Sequence, residues 1–190
     1  MTARDTSTAE TMGRRLPGDP TPREYVARTI RVDHAGEYGA KRIYEGQLAV
    51  LGRGKYGPMI EHMKQQEQVH LDTFSRLIAQ RRVRPTALLP IWHVAGFALG
   101  AATALLGHRA AMACTVAVEE AIDEHYRGQA ATLGDDEAPL RADIERFRAE
   151  ELEHRDIGLE NEAEKTPGYK LLSAAIKAGC KVAIKVSERV

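Results

Sequence analysis

A four-residue motif that occurs twice places the strongest constraint on how this chain can fold. Glu-x-x-His begins at Glu67 and begins again at Glu151. A further glutamate precedes each copy, Glu37 by 30 residues and Glu119 by 32. The sequence therefore contains Glu followed by Glu-x-x-His in each of two halves of nearly equal length, which predicts two similar halves that meet in one site.

The position of the motif is more informative than its presence. A chain with 18 Glu and 7 His is expected to contain about 0.7 copies by chance. Residues three apart on a helix share a face, and both copies fall on apolar stripes with helical spacing. The four stripes are Ile30, Glu37, Tyr44, Leu51; Ile60, Met63, Glu67, His70, Phe74, Leu77; Met112, Thr115, Glu119, Ile122, Tyr126, Leu133; and Leu140, Ile144, Phe147, Glu151, His154.

Capping and breaking signals divide the chain into helices. Thr21, Pro22 and Glu24 have the spacing of a capping box with proline at the first helical position. Gly36, Gly39 and Gly46 are costly inside a helix and predict close packing by a neighbouring helix. The predicted helices cover about 21–51, 58–82, 109–133, 136–163 and 169–188, with an apolar stretch at 85–107.

These elements predict an all-α fold. We expect a four-helix bundle with an additional apolar helical segment and a C-terminal amphipathic helix. A chain of 190 residues is long enough for one such domain, which we expect over residues 21–190. Residues 1–20 are polar, contain Pro17, Gly18 and Pro20, and are predicted to form a flexible tail.

Carboxylates on apolar stripes need compensation. Four buried, unpaired glutamates would each cost several kcal/mol or stay protonated, and no lysine or arginine lies on the stripes. Two divalent cations would balance the charge, and mixed carboxylate and imidazole ligands favour iron or manganese. The alternative is a soluble bundle with paired core carboxylates. The predicted ligands are Glu37, Glu67, His70, Glu119, Glu151 and His154.

Three further residues are candidates for contacts with these ligands. Glu150 and Asp123, like Asp33, could accept a hydrogen bond from a ligand histidine and fix its tautomer. Tyr126 could relay electrons or protons near a substrate, or be part of the core. For the remaining histidines we favour ordinary packing or exposure, although His34 and His125 are close enough in sequence to the predicted ligands for an indirect role.

The stretch 85–107 contains no charged residue. Its length would permit a membrane span, but a single span would put the two halves of the site on opposite sides of a bilayer. We therefore expect this stretch to lie in the membrane interface or, alternatively, to be a buried helix. The predicted C-terminal helix is basic and amphipathic, which favours an anionic membrane surface, with lysines in solvent as the alternative. Its lysines are Lys170, Lys177, Lys181 and Lys185.

The charge balance argues against one class of partner. Lys+Arg and Asp+Glu are both 27, which gives no support for nucleic-acid binding. Two cysteines form no disulfide framework and fit a reducing compartment, and residues 1–20 contain no apolar signal core. With membrane contact, this predicts a peripheral protein at the cytoplasmic face of the cell membrane.

Several long segments resemble the demethoxyubiquinone hydroxylase family of coenzyme Q biosynthesis. The resemblance covers about residues 23–190 and includes the Gly96–Gly107 stretch. It rests mainly on the segments Arg31–Ala40, Cys114–Glu120, Glu150–Gly158 and Ala178–Ile184.

The resemblance implies a ferritin-like di-iron fold with two iron ions per chain. It implies a peripheral membrane monooxygenase that uses O₂ to hydroxylate a polyprenylated demethoxyubiquinone or its quinol. The family's six iron ligands fall on the same six residues as the stripes, and no other catalytic residue is predicted. A homodimer or an accessory lipid-binding protein is an expected partner. A ferritin-like iron-storage or peroxide-handling protein and a non-catalytic membrane-associated scaffold remain as alternatives.

Overall fold

The computed structural model describes residues 16–190, and every regular element in that range is a helix. The helices are α1 (Pro22–Leu51), α2 (Gly57–Arg81), α3 (Leu89–Leu105), α4 (His108–Thr132), α5 (Ala138–Glu160) and α6 (Tyr169–Ser187). The expectation of an all-α fold is confirmed. Of the expected tail, residues 1–15 lie outside the described part of the chain.

The helix ends follow local chemistry. At the start of α1 the Thr21 side chain accepts the Glu24 N–H at 3.2 Å, and the Glu24 carboxylate accepts the Thr21 N–H at 2.8 Å, as the capping-box spacing predicts. α5 ends three residues earlier than predicted, because Glu162 adopts a left-handed backbone conformation with φ of 66°. Arg109 binds the Glu162 carboxylate at 2.7 Å and holds this turn against the start of α4.

α1, α2, α4 and α5 form a ferritin-like four-helix bundle, in which α1 packs on α2 and α4 packs on α5. Two apolar clusters fill its interior. One includes Ile30, Phe74, Tyr126, Ile144 and Phe147. The other includes Tyr44, Ile60, Met63, Met112 and Val116. Each bundle helix runs from one cluster to the other, and its predicted metal ligands lie between them.

α3 connects the two halves of the bundle and packs along α1 at backbone contact. A side chain at Gly46 would overlap the carbonyl oxygen of Phe97, and one at Gly100 would overlap that of Ile43. The prediction of close packing is therefore confirmed for Gly46. At Gly39 the helix α3 approaches the backbone, since a Cβ at Gly96 would lie 2.8 Å from the Gly39 carbonyl oxygen, although the space for a Cβ of Gly39 itself is open. The prediction is wrong for Gly36, because no atom of a neighbour lies within 4 Å of where its Cβ would stand.

Replacing Gly100 by alanine is expected to destabilise the fold. The added Cβ forces α1 and α3 apart, and overpacking of this kind costs about 1–3 kcal/mol. That exceeds the roughly 0.5–1 kcal/mol that alanine gains over glycine in a helix. Urea denaturation measures the free energy of unfolding. Gly39→Ala is the matched control and should not lose stability, and equal stability of Gly100→Ala and the unaltered protein would contradict the tight seam.

One side of α3 remains exposed, together with part of α6. Leu105 and Leu106 are 75% and 76% exposed, and Leu171 of α6 is 78% exposed. Ile91 and Val94 extend this apolar face along α3. The alternative of a buried helix is therefore wrong for the outward side of α3. Within residues 16–190, no helix combines the length and the apolarity that crossing a bilayer requires.

Two of the predicted membrane-facing lysines have protein partners. Lys181 lies 2.9 Å from the Glu124 carboxylate, and Lys177 contacts Glu120. Both acids belong to α4, so the basic side of α6 is partly neutralised by the bundle. Both ion pairs lie at the surface, since the Lys181 side chain is 61% exposed and the Lys177 side chain is 37% exposed.

Candidate metal centre

The six predicted ligands converge in the middle of the bundle, and each is at most 1% exposed. They form two overlapping groups, within each of which the potential ligand atoms lie within 4.8 Å of one another. One group contains Glu37 and His70, and the other contains Glu119 and His154. Glu67 and Glu151 belong to both groups. The arrangement therefore offers two neighbouring cation positions with two shared carboxylates.

Both histidines turn the same nitrogen toward the centre. His70 Nδ1 lies 3.3 Å from a Glu37 oxygen and 3.2 Å from a Glu151 oxygen. His154 Nδ1 lies 3.2 Å from oxygens of Glu67 and Glu151. An Nε2–H that donates outward leaves the Nδ1 lone pair free for a metal ion.

The outward nitrogens have partners on the opposite helix of the α2 and α5 pair. His70 Nε2 lies 2.7 Å from Glu150 Oε2, and His154 Nε2 lies 3.0 Å from Gln66 Oε1. The structure thus brings Glu150 to a histidine, as the sequence predicts for a residue that fixes a tautomer. Sequence reasoning missed Gln66. Its signal is positional, because Gln66 precedes Glu67 as Glu150 precedes Glu151.

Several carboxylate oxygens of the centre have no hydrogen-bond donor. Buried atoms without a hydrogen-bond partner include oxygens of all four glutamates and the inward nitrogen of one histidine: Glu37 Oε2, Glu67 Oε1 and Oε2, Glu119 Oε2, Glu151 Oε1 and His70 Nδ1. Buried polar atoms are normally paired, and unpaired acceptors that face one point require a cation or protons. Carboxylate oxygens and imidazole nitrogens fit iron or manganese.

The electrostatics of the metal-free centre point the same way. Burial and the charge of Glu151 raise the pKa of both Glu67 and Glu119 well above the usual value. Burial lowers the pKa of His70, but the carboxylates of Glu37 and Glu151 outweigh this effect and raise it to about 12. Without a cation, the centre must therefore retain protons to limit its negative charge.

Two tyrosines hold the outer carboxylates. Tyr44 donates its hydroxyl hydrogen to Glu119 Oε1 at 2.7 Å, and Tyr126 donates to Glu37 Oε1. Tyr126 is therefore in contact with the centre, whereas sequence reasoning treated Tyr44 as part of the apolar stripe. The missed signal is a shared interval, since each tyrosine follows the glutamate of its own helix by seven residues.

The two aspartates that were candidates for contact with a ligand histidine have other partners. Asp123 accepts a hydrogen bond from Arg148 Nε at 2.6 Å and also faces Arg127. Asp33 is buried and accepts a hydrogen bond from Gln129 at 2.8 Å. The structure does not bring Asp123 to a histidine of the centre, because Asp123 is paired with Arg148 of the adjacent helix.

An apolar groove lies beside the centre. It has a volume of about 540 Å³ and is enclosed by α1, α3, α4 and α6. Gly36 and Gly39 form part of its floor on α1, and Val118 forms part of its floor on α4. Gly36 and Val118 are the immediate neighbours of Glu37 and Glu119. The groove and the carboxylates therefore occupy two faces of the same pair of helices.

Comparisons with known proteins agree over most of the chain. A family model described as ubiquinone biosynthesis protein COQ7 matches residues 24–187. A 3-demethoxyubiquinol 3-hydroxylase of Rhodospirillum rubrum is 64% identical over 93% of this chain and 84% of that protein. The mitochondrial NADPH-dependent 3-demethoxyubiquinone 3-hydroxylase of Homo sapiens is 56% identical over 90% of this chain and 81% of that protein. The mitochondrial 5-demethoxyubiquinone hydroxylase of Saccharomyces cerevisiae is 40% identical over 87% of this chain and 78% of that protein.

Proposed function

The chain belongs to the COQ7 family of ubiquinone biosynthesis proteins, and we propose that it is a di-iron, O₂-dependent monooxygenase that hydroxylates a polyprenylated demethoxyubiquinone or its quinol. The observation that carries this proposal is the pair of overlapping carboxylate and histidine groups in the bundle interior. The apolar groove along the same two helices supports it, because a polyprenyl quinone needs an apolar site.

Different residues of the centre would hold the two ions. Glu67 and Glu151 would contribute to holding both ions, since both residues belong to both groups. Glu37 and Glu119 would each help to hold one ion, and each has one oxygen that no tyrosine contacts. When bound, two iron ions would supply O₂ activation and electron transfer. Adding one oxygen atom to the ring releases the other as water and consumes two electrons and two protons, which an external reductant and the solvent would supply.

The chain's own side chains prepare the site for this chemistry. The apolar clusters above and below the ligand layer exclude water, which strengthens every electrostatic interaction inside it. Tyr44 and Tyr126 fix the orientation of the outer carboxylates and hold a proton at Glu119 Oε1 and at Glu37 Oε1. The outward histidine contacts keep both Nδ1 atoms directed inward.

The groove would hold the substrate while its tail stays in lipid. The exposed apolar residues of α3 and α6 belong to two of the helices that enclose the groove. We propose that the protein is a peripheral membrane protein at the cytoplasmic face of the cell membrane. A second copy or an accessory lipid-binding protein could cover the same apolar face when it is away from lipid.

Conversion of substrate tests the reaction directly. Iron-loaded protein, supplied with a demethoxyubiquinone, a reductant and O₂, is expected to give a product with one added oxygen atom by mass spectrometry. Product formed from ¹⁸O₂ should carry the label. Uptake of many irons per chain without quinone product would instead support the iron-storage alternative and contradict the proposal.

Charged substitutions on the exposed face test membrane contact. Leu105→Glu combined with Leu171→Glu is expected to reduce flotation with anionic liposomes at least tenfold, because each removes a highly exposed apolar side chain and adds a charge. Val69→Glu is the matched control, since Val69 is 53% exposed on α2, on the other side of the bundle. Flotation that is equally weak in the unaltered protein would contradict membrane contact.

A further inference from the structure

The candidate centre has an internal twofold pattern. The two halves place the same residue type at equivalent positions, and the equivalent contacts recur in both. Each tyrosine of one half donates to the outer glutamate of the other. The equivalent pairs are Glu37 and Glu119, Tyr44 and Tyr126, Glu67 and Glu151, and His70 and His154.

One equivalent pair breaks the pattern. The histidine of α2 has a carboxylate behind it, since His70 Nε2 lies 2.7 Å from Glu150 Oε2. The histidine of α5 has a neutral amide behind it, since His154 Nε2 lies 3.0 Å from Gln66 Oε1. The shorter contact is the one with the charged acceptor, as expected for a charge-assisted hydrogen bond.

The difference acts on the two cation positions unequally. A carboxylate that accepts the Nε2–H makes the imidazole a stronger electron donor at Nδ1 and adds a negative charge near the ion. A neutral amide orients the ring but adds no charge. His70 also contacts Phe147, with ring centroids 4.1 Å apart and ring planes tilted by 38°, which further restricts the ring that Glu150 orients. Both effects favour the position served by His70.

We propose that the two cation positions are unequal, and that the one served by His70 binds a divalent ion about ten- to a hundredfold more tightly than the one served by His154, with Glu150 as the positioning residue that sets the difference. This inference rests on the proposed metal centre and goes beyond it. It predicts an order of filling, in which the pair of ions forms only after the His70 position is occupied.

Titration of the metal-free full chain with Mn²⁺ measures the two affinities without any turnover. Isothermal titration calorimetry of the unaltered protein should resolve two steps whose dissociation constants differ ten- to a hundredfold. Glu150→Gln should weaken the tighter step by a similar factor, so that the two steps merge. Gln66→Glu should instead strengthen the weaker step, which keeps the inference testable if one variant folds poorly.

Glu153→Gln is the matched control, because it removes an exposed charge from the same helix without touching a ring nitrogen. Electron paramagnetic resonance after one equivalent of Mn²⁺ gives a second readout. The unaltered protein should show isolated ions, and Glu150→Gln should show a larger share of coupled pairs. Isotherms of Glu150→Gln that superimpose on those of the unaltered protein would overturn the role of Glu150, and a single step in the unaltered protein would overturn the inequality. Failure of the unaltered protein to bind Mn²⁺ would overturn the metal centre itself.

Discussion

Replacement of Glu67 by leucine is expected to abolish binding of both proposed metal ions and to reduce hydroxylation to background. Glu67 belongs to both groups of candidate ligands, so its loss takes one ligand from each cation position. Within residues 16–190, no further His, Cys, Asp or Glu belongs to either group, so none is in position to replace it. Metal analysis should fall from two ions per chain to none, and quinone conversion should fall with it.

Glu119→Leu is the matched control for the count of ions. Glu119 belongs to one group only, so its variant should lose the ion nearest His154 and retain one ion per chain. Both variants should be inactive, and only the metal content separates them. Two ions retained by Glu67→Leu would contradict the role of Glu67 as a ligand shared by both positions.

The metal-free form of Glu67→Leu should be at least as stable as the unaltered metal-free protein. Both carboxylate oxygens of Glu67 are buried without a hydrogen-bond partner, and burial with the neighbouring carboxylates raises its pKa well above the usual value. Removing an unsatisfied buried group of this kind recovers about 1–3 kcal/mol. For a chain of this size that corresponds to a rise in melting temperature of roughly 2–12 °C. Lower stability of the metal-free variant would show that Glu67 supports the fold rather than the metal.

Filling the groove should slow hydroxylation without disturbing the metal centre. Gly39→Leu adds a side chain where no neighbouring atom lies within 4 Å, and that space is the groove. Hydroxylation of a polyprenylated substrate is expected to fall at least tenfold, mainly through a higher KM. Metal content should remain at two ions per chain, and the helix should gain up to about 1 kcal/mol from the loss of glycine.

Gly128→Leu provides the matched control for Gly39→Leu. Gly128 is an exposed glycine of α4 with open space around it, and it lies outside the groove. It offers the same helical gain without obstruction, so its activity should match that of the unaltered protein. A substrate analogue with a short tail should be less affected by Gly39→Leu, because it occupies less of the groove. Full activity of Gly39→Leu on the polyprenylated substrate would remove the groove from the proposal.

The sequence was sufficient for the helices and for the grouping of six side chains. Helical spacing is periodic, so a stripe that contains Glu67 and His70 specifies which residues share a face. The contacts of Tyr44 and Gln66 could not be predicted from the sequence. A tyrosine on an apolar stripe looks like any core aromatic, and its hydroxyl partner depends on the relative height of two helices that the sequence does not encode locally.

The glycines of α1 also show what the sequence does not predict. A glycine in a helix indicates that a side chain is not favoured, but it does not identify what fills the space. At Gly46 the space is taken by the backbone of α3, whereas at Gly36 and Gly39 it is left open as a groove. The lysines of α6 are similar, since their ion pairs with α4 depend on how α6 docks.

The glycine seam between α1 and α3 has a consequence for how the groove can open. Because Gly46 and Gly100 bring the two backbones into contact, α3 has no room to slide or tilt without breaking that contact. α6 buries only Ser173, Ile176 and Ser187, and the Trp92 indole N–H holds its end through Ser187 at 3.0 Å. The bundle thus holds one wall of the groove, α6, through few buried side chains. If a long-tailed molecule enters the groove, we expect α6 to yield before α3 does.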